Sequence, residues 1–179
     1  MQYVKIPQKR LGALIGNEGA TMRKIESRAH VRLKIDSETH QIRIEHTGNP
    51  IDELTAADII KAIGRGFKPR DALLLLKDET MTFELIDIKR SSRNENDLRR
   101  LKSRLIGKHG RSRELMEELT GAKISIYGST LGIIGSYNQV ELVRSAVEMI
   151  LDGARHGSVY GFLERKRQEA NESKFDQFF

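Results

Sequence analysis

Apolar residues alternate with polar ones in six short stretches, and recur every three or four residues in the segments between them. Tyr3 to Ile6 predicts a strand that Pro7 ends. Gln8 to Leu14, closed by Gly16, and Ala20 to Arg28, with Met22 and Ile25 on one face, predict two helices. Val31, Leu33 and Ile35 alternate with Arg32, Lys34 and Asp36, which predicts a half-buried strand, and Ile42 and Ile44 repeat the pattern. Asn49-Pro50 opens a third helix, with Leu54, Ala57, Ile60 and Ile63 as its apolar stripe. The same order then returns. Met81 to Ile88 predicts a strand, Ser91 to Asp97 a polar loop, and Leu98, Leu101 and Leu105 a helix. Leu115, Met116 and Leu119 mark the next helix, and strands follow at Ala122–Tyr127 and Thr130–Ile134 about Gly128. Ser136-Tyr137-Asn138-Gln139 is a capping-box pattern, opening a helix with Val140, Val143, Ala146, Val147 and Ile150 on one face.

Each half therefore reads β-α-α-β-β-α. The halves are predicted at 1–66 and 81–154, with a connector at 67–80 and a C-terminal helix and tail at 155–179. The connector carries Leu73-Leu74-Leu75-Leu76, which suits a rigid seam between the two units. Val159 to Glu172 predicts a charged helix, and Phe175, Phe178 and Phe179 form an aromatic tail.

A second signal confirms the duplication. Leu14-Ile15-Gly16-Asn17-Glu18-Gly19 and Leu105-Ile106-Gly107-Lys108-His109-Gly110 align without gaps at a spacing of 91 residues, which also brings Glu26 onto Glu117. In a helix–Gly-x-x-Gly–helix turn, glycine has no Cβ to hold off a phosphate backbone. The N–H groups that open the second helix are ready to meet a phosphate oxygen. Both stretches resemble the KH domain, which clamps about four nucleotides of single-stranded nucleic acid. The element order is that of the eukaryotic type. The expected fold is α+β: two tandem type I KH domains, each a three-stranded antiparallel sheet backed by helices, packed together, with a C-terminal helix.

Composition narrows the chemistry. Against 25 acidic residues stand 31 basic ones, a net charge of +6 that favours a polyanionic partner. There is no cysteine, so disulfides and cysteine-ligated zinc are excluded. No apolar run approaches the length of a membrane span, and the N-terminus lacks a signal-peptide apolar region, so a cytoplasmic protein is expected. The chain has no Gly-x-x-x-x-Gly-Lys-Ser/Thr loop, and its five histidines are scattered. Neither an enzyme nor a catalytic residue, metal or cofactor is expected.

The two loops differ. Around the second lie Arg99, Arg100, Lys102, Arg104, Lys108, Arg111 and Arg113, with few carboxylates nearby. The first carries Asn17-Glu18, and a carboxylate at the tip repels phosphate. RNA-binding candidates are Lys102, Arg104, Ile106, Gly107, Lys108, His109, Gly110, Arg111 and Arg113 in the second half, and Gly16, Asn17 and Gly19 in the first. The second half is expected to be the principal clamp. The first either touches RNA weakly or serves as a protein-binding and spacing element. Groove residues that hold bases are sought among Leu105, Ile106, Met116, Ile124 and Ile126. Met116 and Ile124 also fit a plain core, and Ile106 is the best base contact.

The pieces Gly66-Phe67, Asp71-Ala72-Leu73, Phe83-Glu84, Asp87-Ile88-Lys89, Ile106-Gly107-Lys108-x-Gly110, Ile134-Gly135-Ser136 and Val159-Tyr160-Gly161 together resemble one family of KH-domain ribosome-assembly factors, known as partner of Nob or Dim2. The resemblance covers essentially the whole chain. It implies binding near the 3′ end of small-subunit ribosomal RNA, and action beside the Nob endonuclease and an adenine dimethylase. The long N-terminal extension of eukaryotic members is absent, which implies an archaeal source. Two other readings stay open at this point: a tandem-KH protein scaffold with generic, salt-sensitive RNA binding, and a KH subunit of an RNA-degrading complex, although no S1-type barrel is readable.

Overall fold

The structure, a computed structural model, describes residues 1–178. The chain divides into two compact units, Met1–Phe83 and Glu84–Phe179.

In the first unit β1 (Gln2–Lys5) is followed by α1 (Gln8–Ile15) and α2 (Ala20–Ala29), then β2 (Val31–Asp36) and β3 (Gln41–His46), then α3 (Ile51–Gly64). The strands pair antiparallel in the order β1-β3-β2. Val4 stands opposite Ile42, Ile35 also opposite Ile42, and Leu33 opposite Ile44. The period-two pattern sends these side chains to the helical side of the sheet, where Val4, Val31, Leu33, Ile42 and Ile44 are buried with Leu14 and Ile25.

The apolar stripe of α3 is shorter than expected. Ala57, Ile60 and Ile63 are buried, but Leu54 is 55% exposed. Leu54 lies seven residues, two full turns, before exposed Lys61 and so shares its outward face. Its neighbour Glu53 turns inward instead. It is buried with its carboxylate occupied, taking the Met1 ammonium at 2.5 Å and the His46 N–H at 3.0 Å.

The expected connector is folded as well. It forms a one-turn helix, α4 (Pro69–Ala72), and a 3-10 turn at Leu73–Leu76. Leu73 and Leu75 are buried while Leu74 and Leu76 are half-buried, and the turn packs on α2 and α3. Four consecutive leucines cannot share one face of a 3-10 turn, hence the division.

The second unit repeats the order with β4 (Met81–Asp87), α5 (Glu95–Ile106), α6 (Arg111–Thr120), β5 (Lys123–Tyr127), β6 (Thr130–Ser136) and α7 (Tyr137–Leu151), its sheet running β4-β6-β5. Helix α5 starts two residues before the predicted loop ends, because Asn94 caps it by accepting the Asp97 N–H at 2.9 Å. The predicted capping box at Ser136 and Gln139 is present with both of its hydrogen bonds. A final helix, α8 (His156–Asp176), packs on α6 and α7 and adds Val159 and Leu163 to the core. Beyond Leu163 its residues are exposed, Phe175 among them, as is Phe178 after it, and Phe179 lies outside the described residues. Among the described residues no helix is long and apolar enough to cross a membrane.

The start of α5 carries a pH dependence. The Arg93 N–H, at 3.0 Å, and then the Arg100 guanidinium, at 2.8 Å, hold the Asp97 carboxyl below its usual range. A carboxylate with a lowered folded pKa adds stability above its unfolded value, about 3.9, and loses it as pH falls through the folded one. Asp97→Asn is therefore expected to lower the melting temperature at neutral pH. The gap from the wild type closes as melts are repeated below about pH 3.9.

Candidate nucleic-acid interface

Helix α5 ends at Ile106, and the chain reverses into α6 through Gly107 (φ 75°), Lys108, His109 (φ 53°) and Gly110 (φ 75°). Three of the four residues lie in the left-handed region, which costs a residue with a side chain about 1–2 kcal/mol. Glycine at the first position answers a second constraint. A Cβ on Gly107 would stand 2.6 Å from both the backbone N and the Cβ of Ser112. At Gly110 an added Cβ meets nothing within 4 Å, so that side of the loop is open. Lys108 and His109 project from the tip, and both are exposed.

The first loop has the same backbone and a different surface. Gly16, Glu18 and Gly19 have φ of 74°, 51° and 78°. A Cβ on Gly16 would stand 2.3 Å from Thr21 Oγ1, as Gly107 faces Ser112. Asn17 and Glu18 are exposed at the tip. Here, however, Arg23 folds back, its Nη1 donating to the Glu18 carbonyl at 2.7 Å and standing 3.0 Å from the Cβ position of Gly19. The residue in register with Arg23 is Glu114, which pairs with Arg111 and Arg113 instead. One loop is covered by its own guanidinium and tipped with a carboxylate. The other is open and tipped with a lysine and a histidine.

The matched glutamates have one job in both units. Glu26 Oε1 accepts the Leu33 N–H at 2.8 Å, and Glu117 Oε1 accepts the Ile124 N–H at 2.9 Å. Each ties the helix after the loop to the edge strand beside it. In the second unit Arg113 Nη1 neutralises Glu117 at 2.9 Å; its counterpart in the first unit is Met22. Arg113 thus spans one turn of α6 to Glu117.

The remaining candidates divide. Arg104 is engaged elsewhere: its Nη1 donates to the Ile150 carbonyl at 2.7 Å and its Nη2 to the Ala154 carbonyl, tying α5 to the end of α7. The His156 ring meets the Arg104 carbonyl at 2.7 Å. Arg111 pairs with Glu118 at 3.4 Å and Glu114 at 3.9 Å, exposed contacts worth little. Ile106 and Lys102 are half-buried and stand with Glu95, Leu98, Arg99 and Ser103 around an open groove of about 310 Å³ along α5. Of the groove residues, Leu105, Met116 and Ile124 are buried core, while Ile126 is half-buried like Ile106. The structure therefore brings together Lys102, Ile106, Gly107, Lys108, His109 and Gly110 on accessible surface. Sequence reasoning missed Ser112 and its partner Thr21, although the 91-residue register aligns these two small hydroxyl residues against the first glycine of each loop.

A family model for the eukaryotic-type KH domain (KH-domain type I) matches residues 82–168, and a KH-domain model matches residues 1–62. The chain is 44% identical to a KH domain-containing protein of Methanocaldococcus jannaschii, covering 98% of this chain and 78% of that one. It is 30% identical to the pre-rRNA-processing protein PNO1 of Debaryomyces hansenii over 75% of this chain, and spans 55% of that protein's length. Among solved structures, the a/eIF2alpha–aDim2p–rRNA complex from Pyrococcus horikoshii contains a chain that superposes with a TM-score of 0.87 at 41% identity, covering 94% of each. Two type I KH units in series define the class, a tandem KH protein. Within that class, the chain belongs to the partner-of-Nob/Dim2 family of KH-domain ribosome-assembly factors.

The two glycines of the second loop are expected to differ in tolerance. Gly110→Ala meets only the left-handed strain and should cost about 1–2 kcal/mol. Gly107→Ala adds a clash with Ser112 and should cost clearly more, read from urea midpoints of the two variants. Equal costs would mean that the approach to Ser112 does not constrain the turn.

Proposed function

We propose that this chain binds single-stranded RNA during maturation of the small ribosomal subunit, near the 3′ end of its ribosomal RNA, with the second KH unit as the principal clamp. The observation that carries the reading is the contrast between the two loops. Lys108 and His109 tip an open loop, whereas Glu18 tips a loop that Arg23 covers. A phosphate approaching the second loop meets a lysine, the bare Cα of Gly110 and the N-terminus of α6. A base beside it has the half-buried Ile106 and Ile126 to lie on. The yeast relative is named a pre-rRNA-processing protein, and the Pyrococcus neighbour was solved with rRNA, which supports rRNA as the ligand class. The family resemblance extends the proposal to the Nob endonuclease as a partner and to the cytoplasm as the place of action. The role proposed is that of a binder, since the site offers donors, charge and apolar surface. Gly16, Asn17 and Gly19 are assigned a weaker contact, as are Arg111 and Arg113 at the rim of the second loop.

Fluorescence anisotropy with a single-stranded RNA of the rRNA 3′ end tests this. Lys108→Asp with His109→Asp is expected to weaken binding at least about tenfold. It should also flatten the dependence of log affinity on log salt by about 0.7 for each phosphate that the variant no longer neutralises. Unchanged affinity would contradict the assignment of the clamp. Equal binding of a scrambled RNA would contradict the rRNA 3′ end as the target.

A further inference from the structure

We infer that the outer face of the first unit's sheet is a second RNA-contacting surface, taking phosphates on Lys5 and Lys34 and a base stacked on Tyr3. The inference rests on the reading of the chain as an RNA-binding protein. Residues that alternate with the core strand positions lie on the side of the sheet away from the helices. The register places Tyr3, Arg43 and Lys34 in one row across the three strands, with Lys5, Gln41 and Asp36 in the next, and Arg32 opposite Glu45 on the other side. Tyr3 is 53% exposed, and Lys5, Arg32 and Lys34 are exposed too. The two carboxylates on this face are already used. Asp36 accepts the N–H groups of Glu38 and Thr39 at 2.9 and 3.2 Å, and Glu45 pairs with Arg43.

Glu45 offsets only one of the two cations that face each other in this row. Lys34 is directly opposite Arg43, and like charges opposed across strands destabilise a sheet. The fold does not require this. In the second unit the corresponding pair is Ser125 opposite Gly132, and Lys123 opposite Ile134 takes the place of Arg32 and Glu45. Cations accepted at such a cost fit an anionic partner. The exposed ring beside them selects single-stranded RNA, because an aromatic face stacks any base while neighbouring cations hold its phosphates. The three strands span about 10 Å, room for more than one cation to engage the backbone of one short segment.

The test uses the full chain with two RNAs: one of about four nucleotides, the length a KH loop holds, and one about three times longer. Lys5→Ala with Lys34→Ala should flatten the salt dependence for the longer RNA by about 1.4, two phosphates' worth, and leave the shorter unaffected. Tyr3→Ala should weaken the longer RNA about tenfold, with Tyr3→Phe retaining it. Melting curves verify folding, and Lys34→Ala should melt no lower than wild type because it relieves the repulsion by Arg43. If none of these variants alters binding of the longer RNA while Lys108→Asp with His109→Asp still does, the sheet face is not an RNA surface. If the loop variant is harmless and the sheet variants weaken binding, this inference holds and the assignment of the clamp falls.

Discussion

The backbone of Gly107 passes so close to Ser112 that no side chain fits between them, and the second loop takes its shape from that approach. It lets α5 reverse into α6 within four residues and brings the first N–H groups of α6 to the surface beside Lys108 and His109. The same approach, Gly16 against Thr21, builds the first loop. A fixed backbone that holds left-handed residues at His109 and Glu18 leaves the tip side chains free to differ without altering the turn. This separation of scaffold from surface lets one fold, used twice, carry two different chemistries.

The scaffold is held alike in both units, though not always by equivalent residues. Glu26 and Glu117 each tie the helix after the loop to an edge strand. In both units an arginine of the helix before the loop ties the C-terminal end of the last helix of the repeat. Arg10 donates to the carbonyls of Ile63 and Phe67, and Arg104 to those of Ile150 and Ala154. Carbonyls at a helix end lack intrahelical partners, and a guanidinium satisfies two at once. Arg10 and Arg104 are not aligned by the 91-residue register. The requirement is thus for a donor at that helix end rather than for a particular position. Charge near the loop is accordingly less available than the number of basic residues suggests, because part of it holds the fold.

What the sequence made legible follows the reach of each interaction. The alternation in Val31–Asp36, the Ser136–Gln139 cap and the duplicated loop are local patterns, and each appears where expected. Leu54 departs from expectation because residues spaced by three drift around a helix of 3.6 residues per turn, which carries Leu54 to the face opposite Ile63, and the buried, satisfied Glu53 points inward instead. Arg104 reads as a phosphate contact in the sequence because its partners lie 46 and 50 residues further along the chain. Nothing near Arg113 in the alternation of apolar and polar residues announces its bond to a glutamate that also holds Ile124.

On the proposed reading the open second loop, not the covered first one, receives the RNA phosphates. The most direct measurement is an NMR titration of the full chain with the rRNA 3′-end strand, following backbone amides. The account predicts the largest shifts at Lys108, His109, Gly110 and Arg111, with much smaller ones at Asn17, Glu18 and Gly19. Shifts centred on 17–19, with 108–111 unmoved, would contradict it.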